Sequence, residues 1–298
     1  MYIIFLVIIL ILVIVLYFRV YIQKESLKIT NDSHIVIGGI VYNCEKHLDQ
    51  VFVNIKTILT RFTSFQIVIY IDKGSDNSLK LLQKYKSLLT HMTIMEGKKT
   101  SRIRTKNICI ARNKVIEQIS KIHEQKPFQY FIIMDMDDVC STNINMQVFD
   151  EAMQRSNEWD SISFYREPYY DIWALSYDPF IISVFHWEYD AVQQLQKIFM
   201  EMFKNWPREK LFPVYSAFGG FAIYKTNPFA HLKYQWHLNS TLHFLTSKMK
   251  KLNEKAMLPN KFVGTKNQEM DCEHRYFHFC ATFIYDAKIR IMPKILFP

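Results

Sequence analysis

Tyr130-Phe131-Ile132-Ile133-Met134-Asp135-Met136-Asp137-Asp138 carries five apolar or aromatic residues straight into a group of three carboxylates. An unbroken apolar run of this length reads as a strand buried on both faces. Three acids within four positions repel one another, and a divalent cation makes such a cluster tolerable. Hard oxygen donors select Mg²⁺ or Mn²⁺, and these ions commonly bridge to phosphate oxygens. A solvated loop with a helix cap is the plainer alternative, but such a loop needs no buried strand feeding it.

Working outward, three further apolar runs precede this one: His34 to Val41, Phe65 to Ile71 followed by Asp72, and the short His91 to Met95. Between them lie stretches with helical period. Residues 45–62 place Leu48, Val51, Phe52, Ile55, Ile58 and Leu59 on one face, the turn Gly74 to Ser78 opens a second helix capped by Asp76 to Ser78, and residues 106–123 form a third. Strands alternating with helices predict right-handed βαβ units and a parallel sheet. Ligands of such sheets bind at the carboxyl ends of the strands, where Asn43, Asp72 and Asp135 fall. Beyond the acids, residues 145–156 read as a helix and Asp160 to Tyr165 as a strand. Tyr169 to Asp178 reads as an aromatic, acid-bearing loop, and 189–206 as an amphipathic helix. Gly219-Gly220 precedes a strand at Phe221 to Tyr224, and Glu269 to Phe279 is dense in acids and His. No linker divides this body, so residues 34–298 are expected to form one α/β domain.

The 298-residue chain is 49% hydrophobic and 15% aromatic, which excludes a disordered or collagen-like protein. Its 7 glycines form neither GxGxxG nor a Walker phosphate loop. Its 5 cysteines are scattered without a CxxC, which argues against a zinc knuckle or disulfide scaffold. From Tyr2 to Phe18 no charged or strongly polar residue occurs, and Val20 to Ile22 extend the run past Arg19. At about 1.5 Å per residue this length spans a bilayer if Arg19 snorkels. The run lacks the basic leader and small-residue cleavage site of a signal peptide. Residues 1–22 are therefore expected to be an uncleaved transmembrane anchor, and 23–33 a stem. Arg19, Lys24 and Lys28 all follow the span, so the positive-inside rule keeps the body in the cytosol. The sequons Asn31-Asp32-Ser33 and Asn239-Ser240-Thr241 point the other way. The net charge of +9 suits an anionic ligand such as a nucleoside diphosphate, or an anionic membrane surface. The bases are too dispersed for a nucleic-acid site.

The strand order with a DxD closing the fourth strand resembles GT-A glycosyltransferases, which have a Rossmann-like, mostly parallel sheet flanked by helices. The resemblance covers most of residues 34–290. Ala111-Arg112-Asn113 resembles the family's "ARN" segment, and Asp72 matches the acid that meets the nucleoside. Tyr170 to Leu175 and Ser216 to Gly220 resemble acceptor-side segments of a subgroup that includes fungal capsule-associated mannosyltransferases and giant-virus homologues. Cys272-Glu273-His274 resembles its C-terminal acid–His segment. The resemblance implies a hexosyltransferase that uses Mn²⁺ or Mg²⁺ and a UDP- or GDP-sugar donor. A glycan, protein or lipid hydroxyl would be the acceptor, and the body would be lumenal.

Within that reading, Asp135 and Asp137 hold the metal with His274 or His278 as a further ligand. Asn43, Asp72, Arg102, Arg112, Asn113 and Asp135 contact the nucleotide sugar, with Arg104 as a further source of charge for the diphosphate. Asp171 and Trp173 hydrogen-bond and stack on the acceptor sugar, and Gly219-Gly220 let a sugar ring approach the backbone. Glu273 is the general base if the reaction inverts, with Asp271 and Glu269 as rivals. Two other readings compete. Ile133 to Val139 also fits the hhhDxDxV opening of haloacid dehalogenase-like phosphatases, with Asp135 as nucleophile, but there the motif sits on the first strand and a later GDxxxD is required. The other is a non-catalytic anchored protein on a transferase fold, whose mark would be a lost DxD.

Overall fold

The computed structural model describes residues 33–188, 191–264 and 269–298. The expected anchor and all but Ser33 of the stem lie outside the described residues, as do the first two positions of the helix expected from 189. Among the described residues no helix is long and apolar enough to cross a membrane.

The first half follows the alternation read from the sequence: β1 (His34–Val41), α1 (Glu45–Leu59), β2 (Ser64–Asp72), α2 (Ser78–Leu88), β3 (Met92–Gly97), α3 (Arg104–Gln125) and β4 (Tyr130–Asp135). After a short 3-10 turn at Asp138–Cys140 come α4 (Met146–Gln154), β5 (Ser161–Tyr165), α5 (Ala191–Lys204), β6 (Phe212–Val214) and β7 (Phe221–Lys225). Short helices α6 (Thr226–Phe229) and α7 (Leu238–Leu242) lead to α8 (Ser247–Met257), α9 (Glu273–Tyr285) and β8 (Ile289–Ile295).

The eight strands form one sheet in the order β3-β2-β1-β4-β7-β5-β8-β6. The expectation of a mostly parallel sheet holds only for its first half. Pairs β3–β2, β2–β1 and β1–β4 are parallel, but β7 lies antiparallel between β4 and β5, and β6 is antiparallel to β8. The remaining pair, β5–β8, is parallel. The reversal has a local cause. β7 enters from the carboxyl edge, where Gly219 and Gly220 turn the chain at φ +64° and +84°, so its first residue pairs with the last apolar residue of β4.

Both faces of the sheet are covered, which is why its central strands carry no polar alternation. On β1 and β4, Val36, Phe131 and Ile133 face one core with Val115 and Ile119 of α3. Ile35, Ile37, Ile132 and Met134 face the other with Leu48, Val51, Phe52 and Ile55 of α1. Each such fully buried side chain contributes about 1.5–3 kcal/mol. Gly38 lets α3 approach β1: a Cβ there would stand 2.6 Å from Val115 Cγ1.

Candidate active site

Where β1, β2 and β4 end, a cavity of about 840 Å³ opens. Its lining brings together Asp72, Arg102, Arg112, Asp135, Asp137, Asp171, Trp173, Glu273 and His274, which the sequence had singled out over more than 200 positions. Lys99, Arg104 and Tyr42 also line it, as do the apolar Phe185 and Phe218.

Arg112 organises the floor. Helix α3 carries it beneath β4, where it is 5% exposed. Its Nε donates to Glu273 Oε1 at 2.9 Å and its Nη2 to Asp135 Oδ1 at 3.0 Å, while the guanidinium carbon lies 4.7 Å from the Phe218 ring centroid. Nη1 has no hydrogen-bond partner among the described residues. Burial pushes the Asp135 carboxyl up to about 7; Arg112 opposes the rise, and the charges of Asp137 and Asp171 add to it. Burial likewise raises Glu273, again against the pull of Arg112. Arg112 is thus a counter-ion for two carboxylates, and its two bonded nitrogens are not free for a diphosphate.

Asp137 takes a long hydrogen bond from the Val139 amide, 3.3 Å, and no ion pair with it occurs among the described residues. Burial and the neighbouring Asp138 charge raise its carboxyl. Asp171 accepts from the Gly219 amide at 2.9 Å and the Ala174 amide at 3.4 Å. The Gly220 carbonyl accepts from the Asp135 amide at 2.7 Å. The glycine pair therefore holds two of the acids, and neither glycine lines the cavity. A Cβ on Gly220 would stand 2.2 Å from Val139 Cγ1.

Two expected nucleotide contacts lie elsewhere. Asn43 adopts φ +54° and ties the β1–α1 loop to the β2–α2 loop, accepting from the Ser75 amide at 2.9 Å. Asn113 clasps the Tyr234 backbone, donating to its carbonyl at 3.1 Å and accepting from its amide at 2.8 Å. The short polar side chain in each case satisfies backbone that would otherwise be unpaired.

His274 lies on the cavity wall, 2% exposed and stacked on Phe218 at 3.9 Å, with neither ring nitrogen hydrogen-bonded among the described residues. Burial holds its imidazole well below the ordinary value, so it is neutral. His278 is a core residue: Nδ1 pairs with Ser216 Oγ at 3.0 Å and Nε2 with Tyr224 Oη at 3.1 Å. Among the described residues, no three His, Cys, Asp or Glu side chains are grouped closely enough to hold an ion alone. Of the rival bases, Asp271 is buried under Arg275, 3.2 Å away, and accepts from Thr241 at 2.8 Å, while Glu269 is exposed outside the cavity. Although burial opposes it, Arg275 and His186 hold Asp271 below the usual carboxylate range.

Sequence reasoning missed Lys99, Tyr42 and Arg275. Lys99 Nζ lies 3.0 Å above the Tyr42 ring centroid at the cavity rim. Arg275 is 1% exposed and donates to the carbonyls of Trp173, Leu175 and Ile181, which fixes the loop bearing Asp171. The only sequence signal for Arg275 is Asp271 four residues before it, the spacing of an ion pair along one helix face.

No family model matches the sequence, and no curated protein matches it. Among solved structures the chain is similar to S. aureus TarS 1-349 in complex with UDP-GlcNAc, with 14% identity over 89% of this chain and 57% of that one, TM-score 0.40. It is also similar to the mannosyltransferase PcManGT from Pyrobaculum calidifontis in complex with GDP-Man and Mn²⁺, with 12% identity over 57% of this chain and 50% of that one, TM-score 0.34. The chain thus spans about half the length of each structure.

Proposed function

We propose that this protein is a metal-dependent glycosyltransferase that moves a sugar from a nucleoside-diphosphate sugar to a hydroxyl acceptor. The observation that carries the reading is the pair Asp135 and Asp137 at the carboxyl end of β4, sharing one cavity with Lys99, Arg102 and Arg104. The donor set suits Mg²⁺ or Mn²⁺: two hard carboxylates, only one of them neutralised by Arg112, leave positions for water and phosphate oxygens. A cation held there would neutralise a departing diphosphate. Lys99, Arg102 and Arg104 add fixed positive charge along the same cavity. Asp72 and Tyr42 line the same cavity and would contact the nucleoside, while Trp173, also in the lining, would pack against an acceptor sugar. Residues 1–22 would tether the domain to a membrane. The phosphatase alternative places its nucleophilic Asp at the end of the first strand, whereas Asp135 closes β4.

The test is calorimetric titration of UDP and GDP with and without MnCl₂. One nucleotide is expected to bind only with the metal, and Asp137→Ala to weaken that binding at least about tenfold. Equal binding without metal and in the variant would remove the metal-site argument.

A further inference from the structure

We infer that Asp171, not Glu273, is the general base that takes the proton of the acceptor hydroxyl; this rests on the glycosyl-transfer reading. Five carboxylates line the cavity: Asp72, Asp135, Asp137, Asp171 and Glu273. A general base must offer an uncommitted lone pair within reach of the attacking hydroxyl. Glu273 and Asp135 are both bound to Arg112, at 2.9 and 3.0 Å. Protonating Glu273 would strip a buried guanidinium of half its compensation while its Nη1 is already unpartnered, a large cost in a low-dielectric site. Asp137 belongs to the pair proposed for the metal. Asp72 closes β2, two strands from β4 in the sheet, and belongs to the nucleoside end in the proposed reading.

Asp171 differs from all of these. No Lys, Arg or His forms an ion pair with it among the described residues. Among the described residues its hydrogen bonds come from two backbone amides, one on each oxygen. An ionised carboxylate has about four lone-pair sites, so accepting capacity remains on both oxygens. The side chain is half-buried and faces the cavity. Trp173, two residues on, lines the same cavity from the same loop. Arg275 holds that loop through three carbonyls, so base and acceptor platform form one rigid unit.

In the step itself, the acceptor oxygen forms its bond to the anomeric carbon as its proton passes to an Asp171 carboxylate oxygen. The bond from that carbon to the β-phosphate oxygen breaks, and its electron pair leaves on the nucleoside diphosphate. A single displacement of this kind inverts the anomeric centre.

The experiment measures nucleoside diphosphate release from a panel of UDP- and GDP-sugars with MnCl₂, with water or methyl glycosides as acceptor. Asp171→Asn is expected to slow release by roughly 100-fold or more. Binding of UDP or GDP and the thermal midpoint are expected to stay near wild type. Sodium azide attacks without losing a proton, so it should restore donor consumption and yield a glycosyl azide. A merely structural role for Asp171 would not give that rescue. Asp171→Ala is run in parallel, since it makes room for azide and drops the amide that would face the Gly219 N–H. Glu273→Gln is expected instead to lower the thermal midpoint, with no azide rescue. Wild-type rates in both Asp171 variants, or azide rescue of Glu273→Gln alone, would overturn the assignment and leave glycosyl transfer standing. A wild-type protein that releases no nucleoside diphosphate from any donor and binds neither UDP nor GDP would remove both.

Discussion

Arg112 sits between Glu273 and Asp135 with almost no solvent contact, so its removal leaves two buried carboxylates facing each other. Arg112→Met is expected to destabilise the fold by about 3–5 kcal/mol, the usual cost of breaking a buried pair. Arg112→Lys should recover only part of this, because a point charge cannot reproduce two diverging N–H bonds; urea unfolding of both variants checks the order. His278 supplies a pH test. Its folded-state value is depressed to about 3, chiefly by burial, against 6.5 for the free side chain. Below pH 6.5 the unfolded chain takes up a proton that the folded chain refuses, so this residue's contribution is complete above that pH and is lost as pH falls towards 3. The stability gap between wild type and His278→Gln should therefore shrink by about 2 kcal/mol from pH 7.5 to 5; an unchanged gap would refute the buried neutral imidazole. Arg112 was visible in the sequence as a cation near an acidic strand, but its role was not. Its partner Glu273 is 161 residues away, and no periodicity links them. The role of Asn113 in clasping the Tyr234 backbone was hidden for the same reason, since that backbone is 121 residues distant.

The hinge at the head of β7 connects local backbone geometry to the acids. Gly220 combines φ +84° with a Cβ position 2.2 Å from Val139. Gly220→Ala should cost more than Gly219→Ala, where the added carbon meets only the Phe164 carbonyl at 3.2 Å. Left-handed strain alone gives about 1–3 kcal/mol for either, and the clash adds to it at 220. Thermal melts of the two variants test the ranking. The parallel strands were legible because burial on both faces leaves an unbroken apolar run. The direction of β7 was not, since a run such as Phe221 to Tyr224 reads the same either way. Strands β6 and β8 escaped because each contains a proline, Pro213 or Pro293, and β6 has only three residues. The position of β6 at the sheet's rim is the place where a missing N–H does least harm.

Across the molecule, positive charge collects beside the cavity while its floor is acidic. Lys98, Lys99, Arg102, Arg104 and Lys106 all fall between β3 and the first turn of α3, and none makes an ion pair among the described residues. Their attraction for a nucleotide is screened over about 10 Å at 0.1 M salt and about 3 Å at 1 M. The affinity for UDP or GDP should fall across that range, and an Arg102→Ala/Arg104→Ala variant should flatten the salt dependence in the same titration. Because β7 threads between β4 and β5, the two halves of the chain are sewn through each other. Cleaving the backbone at the exposed Asn157–Glu158 turn would bare the β4 flank in one fragment and strand β7 without its seat in the other. Neither piece should be recoverable from solution by itself, whereas co-produced fragments should reassemble into a nicked but whole protein.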